Sequence, residues 1–172
     1  MKDLTSSKHI LLPLQGLRAL AFIGIFLSHS DVKALSSSGL GAWGVSVFLI
    51  LSGFLMMVNY YHTDRFSICS VKDNLRFSLK KIMAIYPLHI LMMLTALPFE
   101  IYAIATNRGG VLQSCIALFA KVVFNITVTQ SFVPCSSVYY SLNAVSWYLS
   151  VCLMTYFCFP WMLRYFRGKM NI

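Results

Sequence analysis

Two side chains in the stretch LQGLRALAFIGIFLSHS (14–30) are of a type that performs chemistry: Arg18 and His29. Both stand in an apolar run, where a charge is costly and needs a partner, a wet cavity or a ligand. They are eleven residues apart. At about 100° per residue that spacing returns to within about 20° of the same helix face, about 16 Å along the axis. The two therefore cannot touch one reacting atom, but they can hold two regions of a long ligand. Imidazole, with an unperturbed pKa of about 6.5, suits a general base. Guanidinium stays charged and offers a planar fork of donors to a phosphate or a carbonyl oxygen. The plainer readings are an arginine that snorkels or pairs within a bundle, and an interfacial, hydrogen-bonded histidine.

Other reactive types carry less. The five cysteines, Cys69, Cys115, Cys135, Cys152 and Cys158, are scattered and never in C-x-x-C spacing. Neither a disulfide framework nor a metal site is expected, and Cys152, in the middle of an apolar run, reads as a buried thiol. His89 reads as structural or interfacial, and Glu100, close to Pro98, as wetted near a span end. Asn125-Ile126-Thr127 fits a glycosylation sequon but falls inside an apolar run. Gly24 with Ser28, and Ala42 with Ser46, are small pairs that permit close helix contact.

These residues are positioned by apolar helices. Of the 172 residues, 58% are hydrophobic and 11% charged, against about 25% charged in a soluble domain. The chain reads as an all-α, polytopic transmembrane helix bundle with four or five spans of about 20 residues each. The expected spans are 10–30, 42–61, 82–105 with a kink or break at Pro87 or Pro98, a weaker 111–132 interrupted by Lys121 and Asn125, and 147–163. Residues 133–146 read as a loop or re-entrant segment, and TNRGG (106–110) as a turn. The run 10–30 is taken as a retained first helix and not a cleaved signal, because Arg18 breaks it and no small-x-small site follows.

The net charge of +9 sits in clusters between apolar runs, a pattern of membrane flanks and not of a nucleic-acid surface. Lys2 and Lys8, the polar loop 62–81 with Arg65, Lys72, Arg76, Lys80 and Lys81, and the basic tail 164–172 are each expected on the cytoplasmic side of the plasma membrane. Five complete crossings would put the tail outside, so the orientation of the last span stays open.

Five segments, in order, resemble the acyltransferase-3 family of integral membrane O-acyltransferases. GLRAL with its arginine, ten residues and a histidine resembles the family's opening. GVSVFLILSGFL (44–55) is similar to its second helix, and SLKKIMAIYPLHI (78–90) to its basic-pair-to-proline start of the third. VTQSFVP (128–134) and SWYLSVCLMTYFCFP (146–160) resemble the segment before its fifth helix and its W-S-L-S-V-E signature. The resemblance implies transfer of an acyl group, commonly acetyl, from acyl-CoA to a hydroxyl of a carbohydrate or lipid-linked glycan. It implies His29 as general base and Arg18 as a catalytic donor-binding or charge-stabilising group. Arg76, Lys80 and Lys81 are then cations for the CoA phosphates; anchoring to anionic lipid is the plainer role for the same residues.

The chain departs from the family pattern in places. Cys152 stands where the signature has glutamate, and a thiol replaces a carboxylate neither as fixed anion nor as orienter of imidazole. Ala84 stands where a third arginine is frequent. Either this is a branch that works without those groups, or its activity is reduced. The resemblance also implies about ten spans of about 20 residues, so this chain is expected to be an N-terminal part, with a C-terminal half as a further partner. Two rivals remain: half of a transporter with Arg18, His29 and Lys121 along a substrate path, and an inactive fragment that only packs against another membrane protein.

Overall fold

In the computed structural model, residues 3–30, 32–61, 70–106 and 110–170 are described. Lys2, Arg65, Cys69 and the centre of the 106–110 turn lie outside them. Every regular element among the described residues is helical. Three helices are long and apolar enough to cross a membrane, and two shorter apolar helices, Pro13–Ser28 and Val111–Ile126, accompany them. The chain divides into two compact units at Arg65.

The first unit holds α1 (Asp3–Ser28), the single turn α2 (Lys33–Ser36) and α3 (Leu40–Tyr60). In lipid, helices associate by close backbone approach at small residues and not by hydrophobic expulsion from water. Here α3 brings Gly41 and Gly44 against α1. A methyl group at Gly44 would lie 2.6 Å from the Ala21 carbonyl oxygen, and one at Gly41 2.6 Å from Ser28 Oγ. Gly24 faces Leu40 and Trp43 from the other side. The small-residue pairing is thus Ala21, Gly24 and Ser28 with Gly41 and Gly44; Gly53 faces open space. Gly44→Ala meets backbone, which cannot swing away as a side chain can. We expect it to destabilise the α1–α3 pair by about 1–3 kcal/mol, the usual range for overpacking. Thermal unfolding of the reconstituted protein checks this; an unchanged midpoint would show that the helices separate freely at this point.

The second unit holds α4 (Val71–Ile82), α5 (Tyr86–Thr106), α6 (Val111–Ile126), the short α7 (Ser136–Tyr139), two single 3-10 turns at Gln130–Phe132 and Ala144–Ser146, and α8 (Trp147–Met170). The segment expected as a polar loop is helical over residues 71–82. Ser70 caps it by accepting from the Lys72 amide at 3.3 Å, and Asp73 lies in the first turn where the helix dipole favours an anion. The next helix starts at Tyr86, four residues later than expected, because 83–85 form a turn. Pro87 then falls in the first turn, where a missing amide proton costs nothing. Pro98 lies inside α5 without ending it. The residues expected as a separate tail, up to Lys169, continue α8 as its last turns.

α4 packs on α8 through Asn74, Phe77, Ser78 and Ile82, with the Phe77 and Phe159 rings stacked at 6.3 Å. α6 has 16 residues, about 24 Å at 1.5 Å per residue, short of a hydrocarbon core of about 30 Å. Its C-terminal end is elaborately satisfied. The Thr129 amide donates to the Phe124 carbonyl and the Val128 amide to the Asn125 carbonyl, the two bonds of a Schellman turn. The left-handed position, usually glycine, is here Val128 at φ 55°, fully buried. A β-branched residue in that region is strained, so its surroundings must hold it there.

Candidate functional site

In the first unit, His29 stands one residue past the end of α1 and is exposed. Its Nδ1 lies 2.8 Å from the Ile25 carbonyl oxygen, one turn back. A carbonyl only accepts, so Nδ1 carries the proton and donates it there. Ser28 Oγ lies 3.3 Å from the same nitrogen and donates its own proton to the Ile25 carbonyl at 2.7 Å. In the neutral imidazole the Ile25 contact leaves Nε2 as the lone-pair nitrogen, the arrangement a general base uses. Gly41, by touching Ser28, keeps α3 close beneath this group.

Arg18 sits in α1, half-buried, and its Nε is shielded from solvent without an acceptor. That is the condition of a guanidinium with donors still to spend. The helix from Asp3 to Ser28 is unbroken, so the spacing of about 16 Å between Arg18 and His29 along its axis stands.

In the second unit the basic residues are split. Arg76 and Lys80, one turn apart on α4, are both exposed, whereas Lys81 turns toward the packed side with its Nζ 5.6 Å from the Phe77 ring centroid. The three do not form one cradle. The hollow beside α5, about 320 Å³, is lined by Ala96, Phe99, Glu100, Ala103 and Leu142.

Sequence reading missed two clusters here. Glu100, expected as wetted near a span end, is partly exposed and also holds an ion pair. Its carboxylate accepts from Lys121 Nζ at 2.7 Å, linking α5 to α6, with the side chains 32% and 20% exposed. The pairing has a plain cause: an ammonium and a carboxylate in apolar helices lower each other's cost by meeting.

The second cluster is a buried polar network. His89 Nε2 donates to the Asn125 carbonyl and Tyr86 Oη to the Ile126 carbonyl, both at 2.9 Å, so α5 adds side-chain donors to the last carbonyls of α6. Asn125 Nδ2 donates to Lys121 O and Ser141 Oγ, while Ser146 Oγ lies 3.3 Å from Asn125 Oδ1. Gln130 Nε2 donates to the Ser146 carbonyl and hydroxyl, and Ser131 Oγ to the Trp147 carbonyl. The sequon asparagine is therefore a buried structural residue, and two of the family-like segments, 128–134 and 146–160, are tied to one another. Their polar residues at matched positions were the available signal.

No metal-binding cluster of His, Cys, Asp or Glu exists among the described residues. Cys152 is buried and Cys115 exposed. Exposed Cys135 lies 3.0 Å from Ser137 Oγ, and hydrogen bonds from the Ser137 hydroxyl and then its backbone hold the thiol below its ordinary range. A lowered thiol pKa brings the thiolate in at lower pH. We expect iodoacetamide to label Cys135 with a pH midpoint below that of an unstructured cysteine peptide, while native Cys152 stays unlabelled. Peptide mass spectrometry reads both. A midpoint at or above that of the peptide would refute the local effect.

These observations define a class: an all-helical membrane protein that presents, at the end of its first helix, an imidazole oriented by a backbone carbonyl. The family model described as an acyltransferase domain, acyltransferase-3, matches residues 13–172, and the chain belongs to that family. No curated protein and no solved structure gives a match. At the family level it is a membrane acyltransferase.

Proposed function

We propose that the chain serves a membrane O-acyltransferase that moves an acyl group, acetyl in the simplest case, from acyl-CoA to a hydroxyl of a cell-surface glycan or related carbohydrate. The observation that carries this reading is the exposed imidazole of His29, held through Nδ1 by the Ile25 carbonyl so that Nε2 faces outward for a substrate, in a chain of this family. His29 Nε2 takes the acceptor's hydroxyl proton as the oxygen attacks the thioester carbonyl. The new C–O bond forms, the C–S bond breaks, and the departing CoA thiolate recovers the proton from the imidazolium. Arg18, with donors unspent, stabilises the carbonyl oxygen or holds the donor.

The donor's phosphates arrive from the cytoplasmic face, where Arg76 and Lys80 stand exposed on α4 and Lys81 stands at its end. The termini and α4 lie on that side in this reading. Cys152 does not supply the anion of the family's glutamate; in this chain a backbone carbonyl orients the imidazole. Transport along Arg18, His29 and Lys121 is less favoured, because Lys121 is already spent on Glu100. The direct test is incubation of the full membrane-embedded protein, with any further half it requires, with labelled acetyl-CoA and candidate glycans. Label on the glycan hydroxyl is the expected result. Vesicle uptake without consumption of acyl-CoA would replace the reading with transport.

A further inference from the structure

We infer that α4 is an interfacial anchor whose exposed side seats on an anionic lipid surface. The helix presents three faces. Asn74, Phe77, Ser78 and Ile82 are buried against α8. Val71, Leu75, Leu79 and Met83, each four residues from the last, are 60%, 46%, 45% and 58% exposed. Residues four apart drift by only about 40° around a helix, so these make one continuous apolar stripe. Lys72, Arg76 and Lys80 follow one position behind, about 100° further round, and all three are exposed. Apolar residues along one side, cations along the next and a packed third side are the arrangement of a helix lying in the headgroup layer.

What covers the stripe follows from its neighbours. A turn of three residues separates α4 from α5, which is long and apolar enough to span a membrane, so the C-terminal end of α4 lies at the membrane boundary. α8, on which it packs, is also a candidate span. The stripe at that level meets acyl chains, and the adjoining Lys72 meets anionic headgroups. The seat is Val71, Leu75, Leu79 and Met83 with Lys72; it fixes the depth at which Arg76 and Lys80 are held. It stands independently of the acyl-transfer reading.

The test uses the full chain in nanodiscs containing phosphatidylcholine with or without phosphatidylglycerol, either lipid carrying a diazirine in its acyl chain. After illumination, adducts are mapped by mass spectrometry. Adducts on the peptide spanning 71–83 are expected, favouring phosphatidylglycerol. Lys72→Gln should lower that preference about fivefold, Lys72→Arg should preserve it, and Leu75→Ser with Leu79→Ser should lower labelling by both lipids. Circular dichroism confirms that each variant retains its helices. Absence of adducts there, or equal labelling by both lipids with and without Lys72, would overturn the inference. So would loss of labelling on adding coenzyme A, which would give the face to a soluble phosphate ligand.

Discussion

Replacing His29 with alanine is expected to lower acyl transfer by about 10²–10⁴-fold, the usual contribution of a positioned general base, while the protein still inserts and folds. The side chain is exposed beyond the end of α1 and packs against nothing that its removal would undermine. Its hydrogen bond to the Ile25 carbonyl and its contact with Ser28 are local, so the effect should fall on turnover and not on stability. His29→Gln is the sharper variant. It retains a donor for the Ile25 carbonyl but offers no basic nitrogen, and it should be as inactive as alanine. Label from acetyl-CoA in the glycan fraction, normalised to protein in the membrane, measures both. Undiminished transfer in either variant would end the assignment of the base.

The second large effect is on stability. Lys121→Met leaves the Glu100 carboxylate at membrane depth without its ammonium partner. Removing one member of a buried ion pair costs about 3–5 kcal/mol. With the side chains 32% and 20% exposed the cost is discounted to about 2–3 kcal/mol, close to the insertion penalty of a lone charge in a helix. Glu100→Gln, leaving the ammonium alone, should cost a similar amount. The double variant Glu100→Gln with Lys121→Met should regain most of the loss, because apolar or neutral replacements remove both charges together. Thermal denaturation in nanodiscs gives the four corners of this cycle. Additive losses in the double variant would mean that each charge has a separate partner and that the contact between α5 and α6 is incidental.

Apolar run length made the membrane helices legible in the sequence, and the fixed spacing of Arg18 and His29 placed both along one rod. The helix α4 was not legible as a helix. At twelve residues, with four lysines and arginines among them, it is too short and too polar to stand out as a span, although its apolar residues and its cations fall on different sides once it is wound as a helix. The division of Lys81 from Arg76 and Lys80 was implicit in spacing, since an offset of one residue turns a side chain by about 100°. The tautomer of His29 depends on a backbone carbonyl, which no side-chain pattern reveals. Glu100 and Lys121 lie on different helices, 21 residues apart, and only their packing brings them within 2.7 Å. The grip of Tyr86 and His89 on the end of α6 was hidden for the same reason.

That grip bears on biogenesis. A segment of 16 residues carrying Lys121 and Asn125 is a poor substrate for release into lipid by itself. Its ammonium is neutralised from α5, and two of its terminal carbonyls accept protons from the first turn of α5. Entering lipid together with α5 as a hairpin lowers the cost of both the ammonium and the open helix end.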